Sequence, residues 1–313
     1  MRKRRLTIPA LRPPKVALGA VMLGALACAL ALKPQAPAAA APGPQGDAKR
    51  GAYVFAAADC ESCHTDKKNK GALLAGGQPM VTDFGTFFAP NITPDKTYGI
   101  GSWTYQDFHR AVREGKGKGG ELLYPVFPYP SFSGMTDQDI ADLWTYLQTV
   151  PAAQTPAKPH QVKAPFGFRP LLIGWRLLYF HQGPLQPAVG LNPQQQRGRY
   201  LSEAVVHCQE CHSPRNGLGS IEKDKAYAGN PVGPDGQNAP NITPTGIGKL
   251  TQSDLRDMLS SGMTPDGDFL GGGMADVVLG TAKLTQADRD AIIAYIRTIP
   301  ARPSTPKPAK KKS

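Results

Sequence analysis

The chain has 313 residues, of which 41% are hydrophobic and 19% charged, so it is long enough for two domains and is not disordered throughout. Its 34 glycines and 31 prolines predict short helices joined by irregular loops and exclude a bundle of long helices. The formal charge of +12 belongs to the two ends, because residues 42–300 carry 24 basic and 24 acidic residues. Nucleic-acid binding needs a basic surface on the folded body, so we expect no nucleic-acid partner.

The N-terminal segment has the layout of an export signal. Basic residues within positions 2–15 precede an apolar run at 16–32, and alanines follow at 38–41. This order is typical of a secretory signal peptide, and the run is also just long enough for one membrane-spanning helix. A cleaved signal and an uncleaved anchor in residues 1–41 therefore both stay open. Either one predicts a periplasmic protein, tethered to the inner membrane in the second case.

The remainder of the chain is an internal repeat. Five segments recur in the same order after 147 to 150 residues, among them Arg-Gly-Xaa-Tyr, Cys-Xaa-Xaa-Cys-His and Ala-Pro-Asn-Ile-Thr-Pro. Collinear recurrence of this kind predicts two copies of one domain. We assign the first repeat to residues 45–151 and the second to residues 194–301, with a basic tail at 302–313.

Apolar residues at helical spacing predict the elements of each repeat. In the first repeat they predict helices at 49–57, 104–114 and 136–149, and in the second at 196–206, 251–260 and 285–298. No run alternates with period two over a useful length, so the expected fold is all-α, with about four helices in each repeat. Gly51 and Gly198 lack a Cβ atom, which predicts that the first helix of each repeat approaches the last one closely. Residues 152–193 are proline-rich but too apolar for a free tether, and we expect them to form a packed strap.

The motif Cys-Xaa-Xaa-Cys-His occurs twice, as Cys60, Cys63 and His64 and as Cys208, Cys211 and His212. This spacing is typical of covalent haem attachment, in which two thioether bonds hold the porphyrin and the histidine ligates the iron. A structural zinc site would need its cysteine pairs much closer than 148 residues, and a thioredoxin-like pair would need a βαβ context. The sequence therefore predicts two covalently bound haem c groups.

The second axial ligand of each iron is expected to differ between the repeats. In the second repeat Met274 lies in a predicted glycine-rich loop, which indicates a thioether ligand, whereas Met263 is a weaker candidate. In the first repeat the corresponding segment carries Phe127, which cannot bind iron. Met135 is the first candidate there.

The alternatives for the first repeat are His109, Met80 as a remote option, and an open or water-bound iron. His109 corresponds to Arg256 in the second repeat, which predicts a partly exposed position instead of a buried ligand. Arg215 lies three residues after His212 and is a candidate for contact with a haem propionate.

These motifs resemble those of a known family. Residues 45–301 are similar to the cytochrome c subunits of bacterial periplasmic dehydrogenases that oxidise alcohols, gluconate and aldehydes, and especially to their two-haem relatives. The resemblance rests on residues 123–130, 211–216, 273–278 and 284–289. It departs from the family at Phe127, where many of those subunits carry methionine, and in having two haem motifs where several have three.

The resemblance implies two tandem cytochrome c-like domains and a one-electron carrier, not an enzyme. Its partners would be a dehydrogenase and a downstream acceptor, either quinone, an oxidase or a small cytochrome, with membrane association. The alternative, motivated by Phe127, is a haem enzyme of the peroxidase or thiosulfate-oxidising type with an open or labile site at the first haem. A zinc or disulfide binding module is the third class.

Overall fold

Two packed helix pairs, one in each repeat, organise the chain. The computed structural model describes residues 43–233 and 236–307, so the predicted signal or anchor segment and the end of the basic tail lie outside it. Helix α1 packs on α5 in the first repeat, and α7 packs on α12 in the second. The helices are α1 (Ala48–Ala57), α2 (Cys60–His64), α3 (Tyr105–Glu114), α4 (Tyr129–Phe132), α5 (Asp137–Leu147), α6 (Leu171–Tyr179), α7 (Pro193–Tyr200), α8 (Gln209–His212), α9 (Pro244–Ile247), α10 (Gln252–Ser260), α11 (Gly273–Thr281) and α12 (Gln286–Ile296).

Helix capping explains why the predicted helices begin where they do. Each of α3, α5, α10 and α12 follows a threonine whose hydroxyl accepts a hydrogen bond from the backbone N–H three residues later. The six helices predicted from the sequence are confirmed, with boundaries within about three residues. The helix predicted at 196–206 begins earlier, as α7, and continues into a π-helical segment, Leu201–Val205.

The two predicted glycine contacts are also confirmed. A Cβ atom on Gly51 would lie 2.0 Å from the Asp142 carbonyl oxygen of α5. On Gly198 it would lie 1.8 Å from the Ala291 carbonyl oxygen of α12. Real Cβ atoms never approach backbone this closely, so glycine at these positions sets the distance between the first and last helix of each repeat.

The expectation of no strands was wrong. Residues Pro79–Thr82 (β1) and Gly85–Phe88 (β2) form an antiparallel hairpin, and Gln161–Val162 (β3) of the strap adds a third strand. The strands are two to four residues long, too short for an alternating pattern to be recognised. Gly85 has a φ of 128°, which allows the tight hairpin. The second repeat has no described counterpart of this sheet.

Both repeats belong to one compact unit that begins at Gly43. Buried residues of both repeats form a continuous apolar cluster that includes Val54, Leu143, Val205 and Ile292. No helix within the described residues is long and apolar enough to cross a membrane. The division into two tandem domains joined by a strap remains a prediction.

A reciprocal pair of tyrosine contacts joins the repeats. The Tyr53 hydroxyl of α1 donates to Asp288 Oδ2 of α12 at 2.7 Å and accepts from the Thr285 N–H at 3.0 Å. Its counterpart Tyr200, at the end of α7, donates to Asp139 of α5 and accepts from the Thr136 N–H at 3.1 Å. Each tyrosine therefore reaches the N-terminus of the last helix of the other repeat. Burial raises the pKa of Tyr200, which keeps the phenol protonated and able to donate.

We expect Tyr53→Phe and Tyr200→Phe each to lower the free energy of unfolding by about 1–2 kcal/mol, because each removes a hydrogen bond to a carboxylate. Tyr98→Phe is the matched control, since Tyr98 is 43% exposed. Urea unfolding of the haem-loaded chain, followed by circular dichroism, measures the difference. A loss no larger than that of the control would contradict the structural role of the contacts.

Candidate haem site

Both Cys-Xaa-Xaa-Cys-His motifs form short helices directly after the first helix of their repeat. Helix α2 follows Asp59, with a φ of 50°, and α8 closely follows His207, with a φ of 47°. A non-glycine residue in this left-handed region is uncommon and reverses the chain sharply. The turn allows the cysteines to start a new helix beside the one that has just ended.

The two motif histidines are oriented in the same way. His64 Nδ1 lies 2.8 Å from the Pro90 carbonyl oxygen, and His212 Nδ1 lies 2.7 Å from the Pro240 carbonyl oxygen. A carbonyl oxygen can only accept, so Nδ1 carries the proton and Nε2 keeps its lone pair for a metal. Burial lowers the pKa of both histidines, which favours the neutral form that ligates iron.

The repeated Ala-Pro-Asn-Ile-Thr-Pro segment supplies these carbonyl groups, and a buried asparagine fixes it. Asn91 Oδ1 accepts from the Thr93 N–H at 2.9 Å, and its Nδ2 donates to the Ala153 carbonyl oxygen at 2.7 Å. In the second repeat Asn241 accepts from the Thr243 N–H at 2.8 Å and donates to the Arg302 carbonyl oxygen at 2.9 Å. This segment is therefore a support for the motif histidine.

One large cavity connects the two motifs. It has a volume of about 2860 Å³, and its lining includes all six motif residues together with Met135 and Met274. Apolar side chains from α3 and α5 line it in the first repeat and from α10 and α12 in the second, namely Phe108, Leu143, Leu147, Leu255, Ile292 and Ile296. An apolar cavity of this size with two oriented histidines fits a large, flat, mostly apolar group such as haem.

The electrostatics of the cysteines disfavour redox chemistry of the thiols. Burial raises the pKa of Cys208 to about 12 and that of Cys211 to about 11, and it also raises the pKa of Cys60. A thioredoxin-like pair needs a depressed thiol pKa, so the thioredoxin interpretation gains no support. Within the described ranges, no group of three or more His, Cys, Asp or Glu side chains is placed to hold a metal ion.

The candidates for the second axial ligand lie in different settings. Met135 is fully buried and lines the cavity. Its counterpart in the second repeat, Leu284, is also buried, just before α12. Met274 also lines the cavity, but it lies in the first turn of α11 and not in a loop. The sequence prediction of a loop was wrong because Gly272, with a φ of 60°, ends the glycine-rich segment and caps the helix.

The remaining sequence candidates have different surroundings. His109 Nε2 lies 2.9 Å from Asp137 Oδ1, on the partly exposed side of α3. Met263 is 41% exposed, whereas Met80 lines the cavity from β1. Arg215 also lines the cavity, and its guanidinium pairs with Glu210 at 2.6 Å.

The segment that carries each methionine packs against the other repeat. In α4, just before Met135, the Ser131 hydroxyl donates to Glu210 Oε1 of the second motif at 2.6 Å. The Phe132 ring stacks edge-on against His207, with ring centroids 5.2 Å apart. These contacts were not predicted, since nothing in a single sequence indicates which surfaces of two repeats meet.

The reciprocal contact involves α11, which carries Met274. A Cβ atom on Gly280 would lie 2.2 Å from the Ala56 carbonyl oxygen of α1, so α11 lies directly against the first repeat. Lys67 Nζ lies 3.4 Å from Asp276 of α11 and 3.4 Å from Glu61 of the first motif. Each motif is therefore linked to the methionine segment of the opposite repeat.

The fold and the site together define a c-type cytochrome. The family model described as Cytochrome c matches residues 48–151. A "Diheme cytochrome c-type" protein of Cereibacter sphaeroides is 45% identical over 261 residues, covering 82% of this chain and 87% of that protein. The chain belongs to this family of cytochrome c proteins, whose role is electron transfer and whose cofactor is haem c.

Subunits of larger dehydrogenases are also similar. The fructose dehydrogenase cytochrome subunit of Gluconobacter japonicus is 37% identical, covering 81% of this chain and 52% of that protein. The gluconate 2-dehydrogenase cytochrome c subunit of Pantoea cypripedii is 38% identical, covering 81% of this chain and 60% of that protein. The chain therefore spans little more than half the length of these two subunits.

We expect Asn91→Ala to disturb the first haem site and Asn241→Ala the second, because each releases the segment whose carbonyl holds the motif histidine. Each change should lower the free energy of unfolding by about 2–3 kcal/mol by leaving buried groups unpaired. It should also shift the midpoint potential of one haem only, which a spectroscopic redox titration detects.

Asn91→Asp separates the two hydrogen bonds, since it keeps the acceptor for Thr93 but places a carboxylate against the Ala153 carbonyl oxygen. The added buried negative charge favours the oxidised iron, so this variant should lower the potential of the first haem and leave that of the second unchanged. Equal potentials in the unchanged chain and in both alanine variants would contradict the supporting role of the asparagines.

Proposed function

We propose that the protein is a periplasmic two-haem cytochrome that passes single electrons from a partner dehydrogenase toward the respiratory chain. The observation that carries the proposal is the pair of histidines, each with Nδ1 bonded to a proline carbonyl oxygen and each lining the same apolar cavity. The periplasmic location is supported by the signal-like residues 1–41.

Each motif would hold one haem through its two cysteines and its histidine. When bound, haem c supplies the reversible exchange of one electron at its iron. His64 and His212 would ligate iron through Nε2, and Met135 and Met274 are the proposed second ligands in the first and second repeat. Apolar side chains from α3, α5, α10 and α12 would exclude water, which together with a thioether ligand raises the reduction potential.

The partner is inferred from the relatives. Two of them are named as cytochrome subunits of fructose and gluconate dehydrogenases, and the resemblance seen in the sequence agrees with this class. We therefore assign a dehydrogenase as the donor and a quinone, an oxidase or a small cytochrome as the acceptor. Residues 42–300 have no net formal charge, so we assign no nucleic-acid partner.

Haem content and ligation test the proposal directly. We expect two haems for each purified chain, and one haem in a Cys60→Ala/Cys63→Ala variant and in a Cys208→Ala/Cys211→Ala variant. The reduced unchanged chain should show no spectral change with carbon monoxide, because both irons keep two protein ligands. Prompt binding of one equivalent would contradict the carrier and favour an enzyme with an open site.

The two methionines are tested by volume-conserving replacements. We expect Met135→Leu and Met274→Leu each to open one iron to carbon monoxide and to lower the potential of that haem, because leucine cannot ligate. The change should cost less than about 1.5 kcal/mol of stability, since the volume is nearly kept. Met80→Leu, at another cavity-lining methionine, is the control and should leave both haems closed. A closed first site in Met135→Leu would rule out Met135 as its ligand.

A further inference from the structure

Helix α6 of the strap is apolar except for Arg176, whose guanidinium lies over the Phe180 ring and donates to the Glu114 carbonyl oxygen. Leu171, Trp175 and Leu178 line the haem cavity, and Leu172 packs with Phe87 and Tyr124. Another side carries Ile173 and Leu177, one helical turn apart, which are 56% and 83% exposed. Large aliphatic side chains exposed on successive turns mark an interaction surface, and no described residue covers these two.

A neighbouring residue extends this exposed side into a patch. Phe168, just before α6, is 64% exposed. On the cavity side, Trp175 Nε1 donates to the carbonyl oxygen of Leu218 of the second repeat at 2.9 Å. Trp175 stacks on Tyr179 with ring centroids 5.6 Å apart, which places two amphipathic aromatic rings on the same helix. We call Phe168, Ile173 and Leu177 the α6 patch.

The charge of the strap has one sign. No aspartate or glutamate occurs from residue 143 to residue 202, whereas the strap carries Lys158, Lys163, Arg169 and Arg176. Lys158 lies near Asp66, whereas Lys163, Arg169 and Arg176 donate to the backbone carbonyl oxygens of Asp83, Leu122 and Glu114. The strap therefore has four basic residues and no acidic one, whereas the rest of residues 42–300 has 20 basic and 24 acidic residues.

We propose that the α6 patch inserts into the headgroup region of a bilayer that contains anionic phospholipid. Exposed aliphatic side chains, nearby tryptophan and tyrosine rings and basic residues on a segment without acidic ones are the features of helices that lie in a membrane surface. The apolar run at residues 16–32 would hold the body close to the bilayer and raise the effective concentration of the patch there. The α6 patch does not include residues 16–32, and its helix also lines the haem cavity. Insertion of the patch would therefore place this cavity near the membrane.

Site-specific spin labels on the full haem-loaded chain test the proposal. A nitroxide is placed at Leu177→Cys, with Leu279→Cys as control, since Leu279 is 60% exposed on α11, outside the patch. Cys28→Ser removes the one cysteine outside the haem motifs. Vesicles are made of phosphatidylglycerol mixed with phosphatidylethanolamine, or of phosphatidylcholine alone. The measurement compares collisions with oxygen, which concentrates in lipid, and with a water-soluble nickel chelate.

With anionic vesicles we expect the Leu177 label to gain oxygen contact and to lose contact with the nickel chelate, while the Leu279 label stays in water. Adding Ile173→Ser should lower the ratio of inserted to free Leu177 label about tenfold, the effect of losing one buried aliphatic side chain. Adding Leu279→Ser should not change it. Because the N-terminal segment is present in every variant, these differences report the patch alone.

Three results would overturn the proposal. The first is vesicle-bound protein whose Leu177 label remains as accessible to nickel as the Leu279 label. The second is equal insertion into phosphatidylcholine, which would remove the role of the cations. The third is protection of the Leu177 label from nickel by concentrated protein without vesicles, which would assign the patch to contact between two copies of the chain. Haem content and carbon monoxide binding are unaffected by all three, so the proposed electron transfer is judged separately.

Discussion

The hydrogen bond from each motif histidine to a proline carbonyl oxygen is the constraint around which both repeats are built. In both repeats the proline carbonyl oxygen lies 2.7–2.8 Å from the histidine Nδ1. Proline provides that carbonyl without an N–H group that would need a partner of its own. Gly76 and Gly229, which follow the two motifs, allow the segment with the proline carbonyl to approach. A Cβ atom on either glycine would lie within 3 Å of the backbone nitrogen of Asn91 or Asn241. The asparagine then connects the loop to the chain beyond the last helix, so the haem site depends on the whole length of each repeat.

The repeats depend on each other as well. Tyr53 and Tyr200 exchange equivalent contacts with the last helix of the opposite repeat, as the two halves of a symmetric dimer would. The methionine-bearing segments follow the same rule, because α4 lies against the second motif and α11 lies against α1. Symmetry of this kind needs few distinct contact residues, because the same pair of complementary surfaces is used twice. A repeat removed from this arrangement would leave its methionine segment and its tyrosine without their partners.

Local features of the sequence predicted much of this structure, and interactions between distant residues account for the rest. The helices follow from apolar spacing and threonine caps, and the glycine contacts follow from the absence of a side chain. The motif spacing predicted the haem-attachment residues. The three short strands could not be predicted, because β3 pairs with β2 only after the strap has folded back over more than 70 residues. The start of α11 was also missed, because a glycine-rich segment is compatible with both a loop and a helix cap.

The two proposed sites differ in a way that the sequence did not suggest. Because Phe127 cannot bind iron, the sequence suggested that the first repeat has the weaker second ligand. In the structure Met135 is fully buried, and contacts of Ser131 and Phe132 hold the adjacent α4 in place. Met274 is partly exposed in the first turn of its helix, after three exposed glycines that restrict it little. Its position depends on α11 remaining against α1, and the ion pair of Lys67 with Asp276 that assists this is half exposed and weak. As a proposed second ligand, Met274 is therefore less restrained by its surroundings than Met135.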